Sequence, residues 1–474
     1  METAQTSNRV YTAEQTAFIE HDIKSSIILK ATAGSGKSQC TMERIKFLLA
    51  NGVPDKNIIF FYYTTAAVEE FRARLNNDQI KITTIHAFCQ GMLAKMKKFK
   101  KVVDIYEFIS WYKENNKPKP SASNEVKIKF YDLINDLYEN AQYISAEITA
   151  YKLQIAEGIR CKKPNFFEEY NKFKKETKTR DFSDMLIEIR DLLKENKWLV
   201  MFRNKYDYIL VDEFQDTSSI QMDILLKLNA KYYTLIGDIG QSIFGYSGAN
   251  AFTVMDMLKK RRQVQEMTLS MNFRSSKSIV ENSNNYSTLK AVPSKQEEGL
   301  VNKRIMKFEN FLKLVDNFEE LVLLCRTNNV IKDIEKEFLL RKYTMNYKNY
   351  LTDSEIEGIR KGTISVSTQN KITAIIPVFR TVENIIEFIE SNRQSKKFLL
   401  TIHKSKGLEF ENCVVVNCFS PDILEFNNIK ELSEEQKQKY SFDPDNEEDF
   451  ESRNVFYVAI TRPKSSLYFM AYKI

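Results

Sequence analysis

A chain of 474 residues, 43% hydrophobic and 28% charged, is too long for one core and too apolar for disorder, so roughly two to four folded domains are expected. Its formal net charge of +7 is a mild basic excess, compatible with a nucleic-acid partner without demanding one. Six scattered cysteines with no C-x-x-C pair argue against a zinc site or a disulfide framework, and with no signal segment in Met1–Tyr11 and no run near the roughly 18 apolar residues of a membrane span, a soluble cytoplasmic protein with no membrane partner is expected.

In chain order, Gln15 first stands ahead of a helical pattern. Ile27, Ile28 and Leu29 then read as a short buried strand, and Cys40 to Leu49 as a helix. Between them lies Ala31-Thr-Ala-Gly-Ser-Gly-Lys-Ser38. Strand, Gly-rich turn and helix make a phosphate cradle: the N–H groups of Ala33, Gly34, Ser35 and Gly36 converge on phosphates at a positive helix end. Lys37 is placed to reach the outer phosphates and the Ser38 hydroxyl to bind Mg²⁺. The P-loop pattern asks for Gly where Ala31 stands.

Residues 58–63 are β-prone and almost continuously apolar, as in a parallel strand covered on both faces. A helix is expected over 66–75, and His86, one of three histidines, on a loop after a strand. From about Met92 to Arg180 lysine density rises and helical periodicity dominates. There Lys162, Lys163, Lys172, Lys174 and Lys175 interleave with Phe166, Phe167, Tyr170 and Phe173. That pattern suits either a solvated amphipathic helix or a nucleic-acid strand held by phosphate contacts and stacking.

The α/β pattern resumes at Asp181. The apolar run Ile209-Leu-Val211 ends in Asp212 and Glu213, a carboxylate pair suited to holding the Mg²⁺ water shell and polarising an attacking water. Tyr232–Ile236 reads as a strand running into a loop that carries Gln241, Phe244 and Tyr246. A glutamine there can sense a γ-phosphate beside a stacking surface.

Taken together, these stretches are similar to the UvrD/Rep/PcrA-type superfamily 1 DNA helicases. The resemblance rests on AxxGxGKS, YTTAAxEEFRxRL, TIHAF, DFSDML, DEFQDT, GDxxQSIFGYxGA, LxxNFRS, LLCRTN (323–328), TIHKSKGLEFE (401–411) and FYVAITR (456–462). It spans Gln15 to Arg462, nearly the whole chain.

The resemblance implies an α/β fold of two RecA-like P-loop NTPase domains with a helical insertion. The first RecA-like domain would comprise 1–90 and 181–278, with a helical insertion at 91–180. The second would comprise 279–345 and 396–474, with a reduced insertion at 346–395. It implies ATP and Mg²⁺ in a cleft between the two domains. Gln15 would read adenine and Phe273 stack on it; Lys37 and Ser38 would hold phosphate and metal, and Asp212 the metal. Glu213 would activate water, Gln241 sense the γ-phosphate, Arg274 and Arg462 act as arginine fingers, and Glu409 contact the ribose. Tyr63, Thr64, His86, Phe244, Tyr246, Thr401 and His403 would line the path of a DNA strand. The activity implied is 3′–5′ translocation on single-stranded or tailed duplex DNA.

Two departures from the family pattern stand out. The family's Trp-Arg is Tyr246-Ser247 here, which keeps a ring and loses a cation. The large second insertion shrinks to 346–400, with a Thr/Ser-rich β-prone stretch at 363–368 and a helix-like run at 382–391. They motivate an alternative: an ATP-gated DNA-sensing subunit that activates or partners a nuclease, for example in anti-phage defence. Only one strand follows Arg462, leaving no expected room for an appended nuclease domain. A small-molecule kinase explains neither Arg462 nor the aromatic loop, while RNA shares the phosphates and stacking that the motifs address.

Overall fold

Short β-branched and aromatic runs alternate with helices throughout the chain, and the strands they form are parallel. The computed structural model describes residues 10–245, 248–362, 364, 366–427, 441–442 and 449–472. It divides into two compact units: Met1–Ala31 with Gly36–Leu269, and Thr32–Ser35 with Ser270–Ile474.

The first unit carries β1 (Ser26–Ala31), β2 (Ile58–Tyr62), β3 (Lys81–Thr84), β4 (Tyr208–Val211), β5 (Tyr232–Gly237) and β6 (Val264–Leu269). They form one parallel sheet in the order β3-β2-β4-β5-β1-β6. Alternation along β1, β2, β4 and β5 feeds two cores. Ile59 and Phe61 of β2 pack on one face, and Ile58, Phe60 and Tyr62 on the other. Both faces are covered, which is why these strands read as continuous apolar runs. The loops following β1, β4 and β5 leave the same end of the sheet, the end where open α/β sheets bind ligands.

Helices Ile105–Asn115, Asn124–Glu139, Ala141–Ala156 and Phe167–Glu176 interrupt this unit and have a core of their own, built on Phe108, Ile109, Leu137, Tyr170 and Phe173. Tyr170 and Phe173 are therefore core residues. Lys174 is buried between Asp181 and Asp184, on neither a solvated face nor a nucleic-acid face.

The second unit holds the short pair β7 (Met271–Asn272) and β8 (Val292–Pro293). Its main sheet has β9 (Leu300–Lys307), β10 (Leu321–Cys325), β11 (Lys397–Thr401), β12 (Phe410–Val416) and β13 (Pro463–Ala471). The order is β11-β10-β12-β13-β9, again parallel. The β-prone stretch expected at 363–368 is a correction: Val366–Phe379 is a helix, and 363 and 365 lie outside the described residues. Ile372, Ile375 and Phe379 recur on one buried face, and burial of that face overrides the local β-preference of Val366 and Thr368. This helix and Val382–Ser391 share one core with β10, β11 and β12. Among the described residues no helix is long and apolar enough to cross a membrane.

Candidate nucleotide and nucleic-acid sites

Ala31 closes β1, fully buried and paired with Leu269 of β6. It is absent from the positive-φ residues, so a Cβ is tolerated where the P-loop pattern has glycine. Gly34 and Gly36 differ, with φ of +71° and +80°, where side chains are strained. A Cβ on Gly34 would also meet Arg274 Cβ at 2.7 Å. The 32–35 segment is held by its own unit. Asn272 Nδ2 donates to the Ala33 carbonyl at 2.8 Å, Phe273 N–H to the Gly34 carbonyl at 2.9 Å, and Ser35 N–H to the Thr32 carbonyl at 3.3 Å.

Gly36 caps a 14-residue helix, Lys37–Ala50, so Lys37 and Ser38 open its positive end. Lys37 Nζ lies 3.6 Å from Glu213 Oε1. Glu213 has φ +50°, a strained backbone of the kind found where a side chain must be aimed. Gln215 Nε2 donates to Glu213 Oε2, and Gln215 Oε1 accepts the Asp238 N–H at 3.1 Å. Asp238 in turn accepts from Gln241 Nε2 at 2.8 Å and Gly240 N–H at 3.0 Å. One polar chain, Lys37–Glu213–Gln215–Asp238–Gln241, thus joins the loops after β1, β4 and β5. Gln215 and Asp238 were not among the sequence candidates, although both sit inside the DEFQDT and GDxxQ stretches. Gly237 is required beside them, because a Cβ there would meet Gln215 Oε1 at 2.0 Å.

Asp212 is buried and its Oδ1 has no hydrogen-bond partner. Burial, then the charge of Glu213, push its carboxyl up to about 7. A buried carboxylate with an orphan oxygen beside a second acid fits a cation. Among the described residues no cluster of three or more acidic, His or Cys ligands exists.

Gln15 is the third residue of helix Ala13–Ile19, in a reciprocal capping box with Thr12. Its Oε1 accepts the Thr12 N–H at 3.0 Å, and its Nε2 lies 3.3 Å from where a Cβ on Gly36 would be.

In the second unit, Arg274 Nε meets Glu409 Oε2 at 2.8 Å and its Nη1 donates to the Thr461 carbonyl at 3.3 Å. Glu409 also pairs with Lys464 at 2.9 Å. Phe273 is exposed. Arg462 is 1% exposed and turned inward, with Nε on the Val458 carbonyl at 2.9 Å and Nη1 on that of Leu408 at 3.0 Å. Thr401 Oγ1 accepts the Lys404 N–H at 3.3 Å, and His403 opens the turn His403–Ser405.

Of the strand-path candidates in the first unit, Tyr63 and Phe244 stack with ring centroids 5.1 Å apart and planes 26° apart. Thr64 caps helix Thr65–Leu75 by accepting the Ala67 N–H. His86 lies in the first turn of helix Ile85–Lys95 rather than on the expected loop, because Thr84 caps that helix directly after β3. Desolvation pushes the His86 imidazole down to about 4, so the ring is neutral at neutral pH. Phe182, 52% exposed, meets it edge-on at 4.9 Å; it lies in the DFSDML stretch and is not among the sequence candidates. Tyr246 and Ser247 lie outside the described residues.

The family model described as UvrD/REP helicase N-terminal domain matches residues 11–262, and that described as UvrD-like helicase C-terminal domain matches residues 366–473. A probable DNA helicase of Mycoplasma pneumoniae is 26% identical, over 94% of this chain and 80% of its own length. A probable DNA helicase II homolog of Mycoplasma capricolum is 27% identical over 54% of this chain and 38% of its own. The ATP-dependent DNA helicase PcrA of Staphylococcus aureus is 25% identical over 67% and 48%. The chain thus spans less than two thirds of two of these three relatives.

Proposed function

The chain belongs to the UvrD/Rep family of helicases, and on that premise we propose that it is an ATP-dependent DNA translocase and helicase, moving 3′ to 5′ on single-stranded or tailed duplex DNA. The observation that carries the reading is the polar chain from Lys37 to Gln241, which continues along the same loop into the Phe244–Tyr63 stack. A change at the phosphates would have a short polar route, one ion pair and three hydrogen-bonded steps, toward a base-stacking surface.

In this reading the helix start at Lys37 and Ser38 binds the phosphates, with the N–H groups of Ala33, Gly34, Ser35 and Gly36. Ser38 and Asp212 would hold Mg²⁺, which neutralises phosphate charge when bound. Glu213 Oε accepts a proton from the attacking water, and Gln215 keeps that carboxylate oriented. Gln241 reports the γ-phosphate. Gln15 reads the adenine edge, Phe273 stacks on the base, and Glu409 serves the ribose once it leaves Arg274. Arg274 and Arg462 of the second unit are assigned to the charge on the transferring phosphoryl group; Arg462 must first leave its carbonyl partners. Tyr63, Thr64, His86, Phe244, Tyr246, Thr401 and His403 are assigned to the strand, with residues 91–180 as a helical insertion of the first RecA-like half and 346–395 as the reduced insertion of the second.

ATPase turnover with and without single-stranded DNA tests the reading; absence of stimulation would sink it. The second reading, an ATP-gated DNA-sensing partner of a nuclease, draws on one observation: the 346–395 region packs into the core of the second sheet. Robust displacement of a 3′-tailed duplex by the isolated chain would count against that alternative.

A further inference from the structure

Helix Ala13–Ile19 is seven residues long, too short to persist unaided, and it carries Gln15. Its start is fixed by the capping box. Its end is fixed by a residue from the phosphate-binding helix. Arg44 Nη1 donates to the Ile19 carbonyl at 3.1 Å and to that of His21, and Nη2 to that of Asp22 at 3.1 Å. Tyr208 Oη holds the next carbonyl, Ile23, at 3.0 Å.

Arg44 is 2% exposed, and among the described residues no carboxylate forms a salt bridge with it. A buried cation held by carbonyls, with the Phe47 ring 5.6 Å away, is expensive, and burial pushes its pKa down to about 10 against the opposing charges of Tyr208 and Asp22. An apolar side chain would fill the same space without that penalty. What the planar fork adds is geometry: three carbonyls of one short segment closed at once. Arg44 lies on the helix that begins with Lys37 and Ser38, so one rigid rod carries the phosphate-facing residues at its start and this clamp two turns later.

We propose that Arg44 is a positioning residue for base selection: by clamping the carbonyls of residues 19–22 to the phosphate-binding helix, it fixes Gln15 so that adenine nucleotides are accepted over guanine nucleotides. The inference rests on the reading of Gln15 as the base reader. A glutamine amide matches adenine by accepting from N6 and donating to N7. Guanine presents an oxygen at position 6 and would require the amide to flip. The Thr12 N–H on Oε1 opposes that flip, because the flipped amide would face the N–H with its own NH₂ group. The discrimination holds only while helix 13–19 stays in register with Gly36, and Arg44 keeps it there.

The test compares ATP and GTP hydrolysis, at saturating single-stranded DNA, for the wild type, Arg44→Met, Arg44→Lys and Gln15→Ala. Both Arg44 variants are expected to raise the KM for ATP and narrow the ATP:GTP ratio of kcat/KM by roughly 5- to 100-fold, with kcat at saturating ATP within about threefold. Lysine keeps the charge and loses the fork, so it does not rescue. A folded Arg44→Lys with wild-type ATP:GTP preference and only a lower Tm would overturn the proposal and leave Arg44 a structural residue. If Gln15→Ala itself keeps the preference, the base-reader assignment fails and the proposal with it, a result distinguishable from failure at Arg44 alone.

Discussion

The ammonium of Lys37 stands 3.6 Å from the carboxylate of Glu213, so the cation assigned to phosphate and the acid assigned to water answer each other. Both are only partly exposed, and an unanswered charge of either sign there would be costly. In the proposed site, triphosphate would give Lys37 a second partner and leave Glu213 to the hold of Gln215.

The two residues should therefore separate binding from chemistry. Lys37→Ala is expected to abolish ATP binding and turnover together. Glu213→Gln is expected to bind ATP near the wild-type level and lose roughly 100-fold or more in kcat. Equilibrium nucleotide binding beside steady-state ATPase measures both. A Glu213→Gln protein with unchanged kcat would remove Glu213 from the chemical step.

Gln215 gives a prediction of a different kind, because it touches neither phosphate nor metal in the proposed site. Gln215→Ala strips Glu213 of one donor and leaves the buried Asp238 N–H unmet, a loss of about 1–3 kcal/mol in stability. DNA-stimulated kcat should fall about tenfold or more with little change in KM. Gly237→Ala reaches the same contact from the other side, since its Cβ would displace Gln215 Oε1. Matching kinetic defects in the two variants would identify the bridge; a normal Gly237→Ala enzyme would show that the contact carries nothing.

Gln215 also marks where sequence reading stopped. The β2 run and the acids after β4 were legible because a strand covered on both faces must be apolar and a charge can appear only past its end. Ala31 departs from the P-loop pattern, and its place at the end of β1, outside the positive-φ residues, removes the need for glycine. The bridge through Gln215 and Asp238 was illegible, because the two residues meet only when β4 and β5 lie side by side. The stretch 363–368 reads as β-prone, yet Val366–Phe379 is a helix, imposed by burial of Ile372, Ile375 and Phe379, with Pro377 tolerated inside it. The inward turn of Arg462 has no local signal at all.

The Tyr63–Phe244 stack presents a ring pair at the surface. Phe244→Ala should weaken single-stranded DNA binding by about 1–3 kcal/mol and remove most of the DNA stimulation. Basal ATPase should stay unchanged. Fluorescence anisotropy with a labelled oligonucleotide, read beside ATPase, checks this. Loss of basal turnover without loss of DNA affinity would place Phe244 in the nucleotide site instead.

Two buried lysines and two aspartates tie the helical insertion to the helix that presents Phe182. Lys152 Nζ lies 2.6 and 2.7 Å from the two oxygens of Asp181, and Lys174 Nζ lies 2.9 Å from Asp181 Oδ2 and 2.6 Å from Asp184 Oδ2. Asp181 also accepts from Ser183 Oγ and the Asp184 N–H, both at 2.8 Å. The set is neutral as a whole, so deleting one cation strands a charge; Lys152→Met should lower stability by about 3–5 kcal/mol at pH 7. Burial pushes the Asp181 carboxyl up, but Lys152 and Lys174 outweigh it and hold the group below the usual carboxylate range. A depressed carboxylate contributes its stability above the unfolded pKa of about 3.9 and loses it as pH falls through the folded value. The wild type should therefore keep this contribution down to about pH 4 and lose it only below. In Lys152→Met burial acts with less opposition, the Asp181 pKa rises, and its contribution disappears at a higher pH. Urea melts at intervals between pH 7 and pH 3 read the difference: curves converging as pH falls support the assignment, and a constant offset across the whole range would show that the loss at Lys152 is one of packing rather than charge.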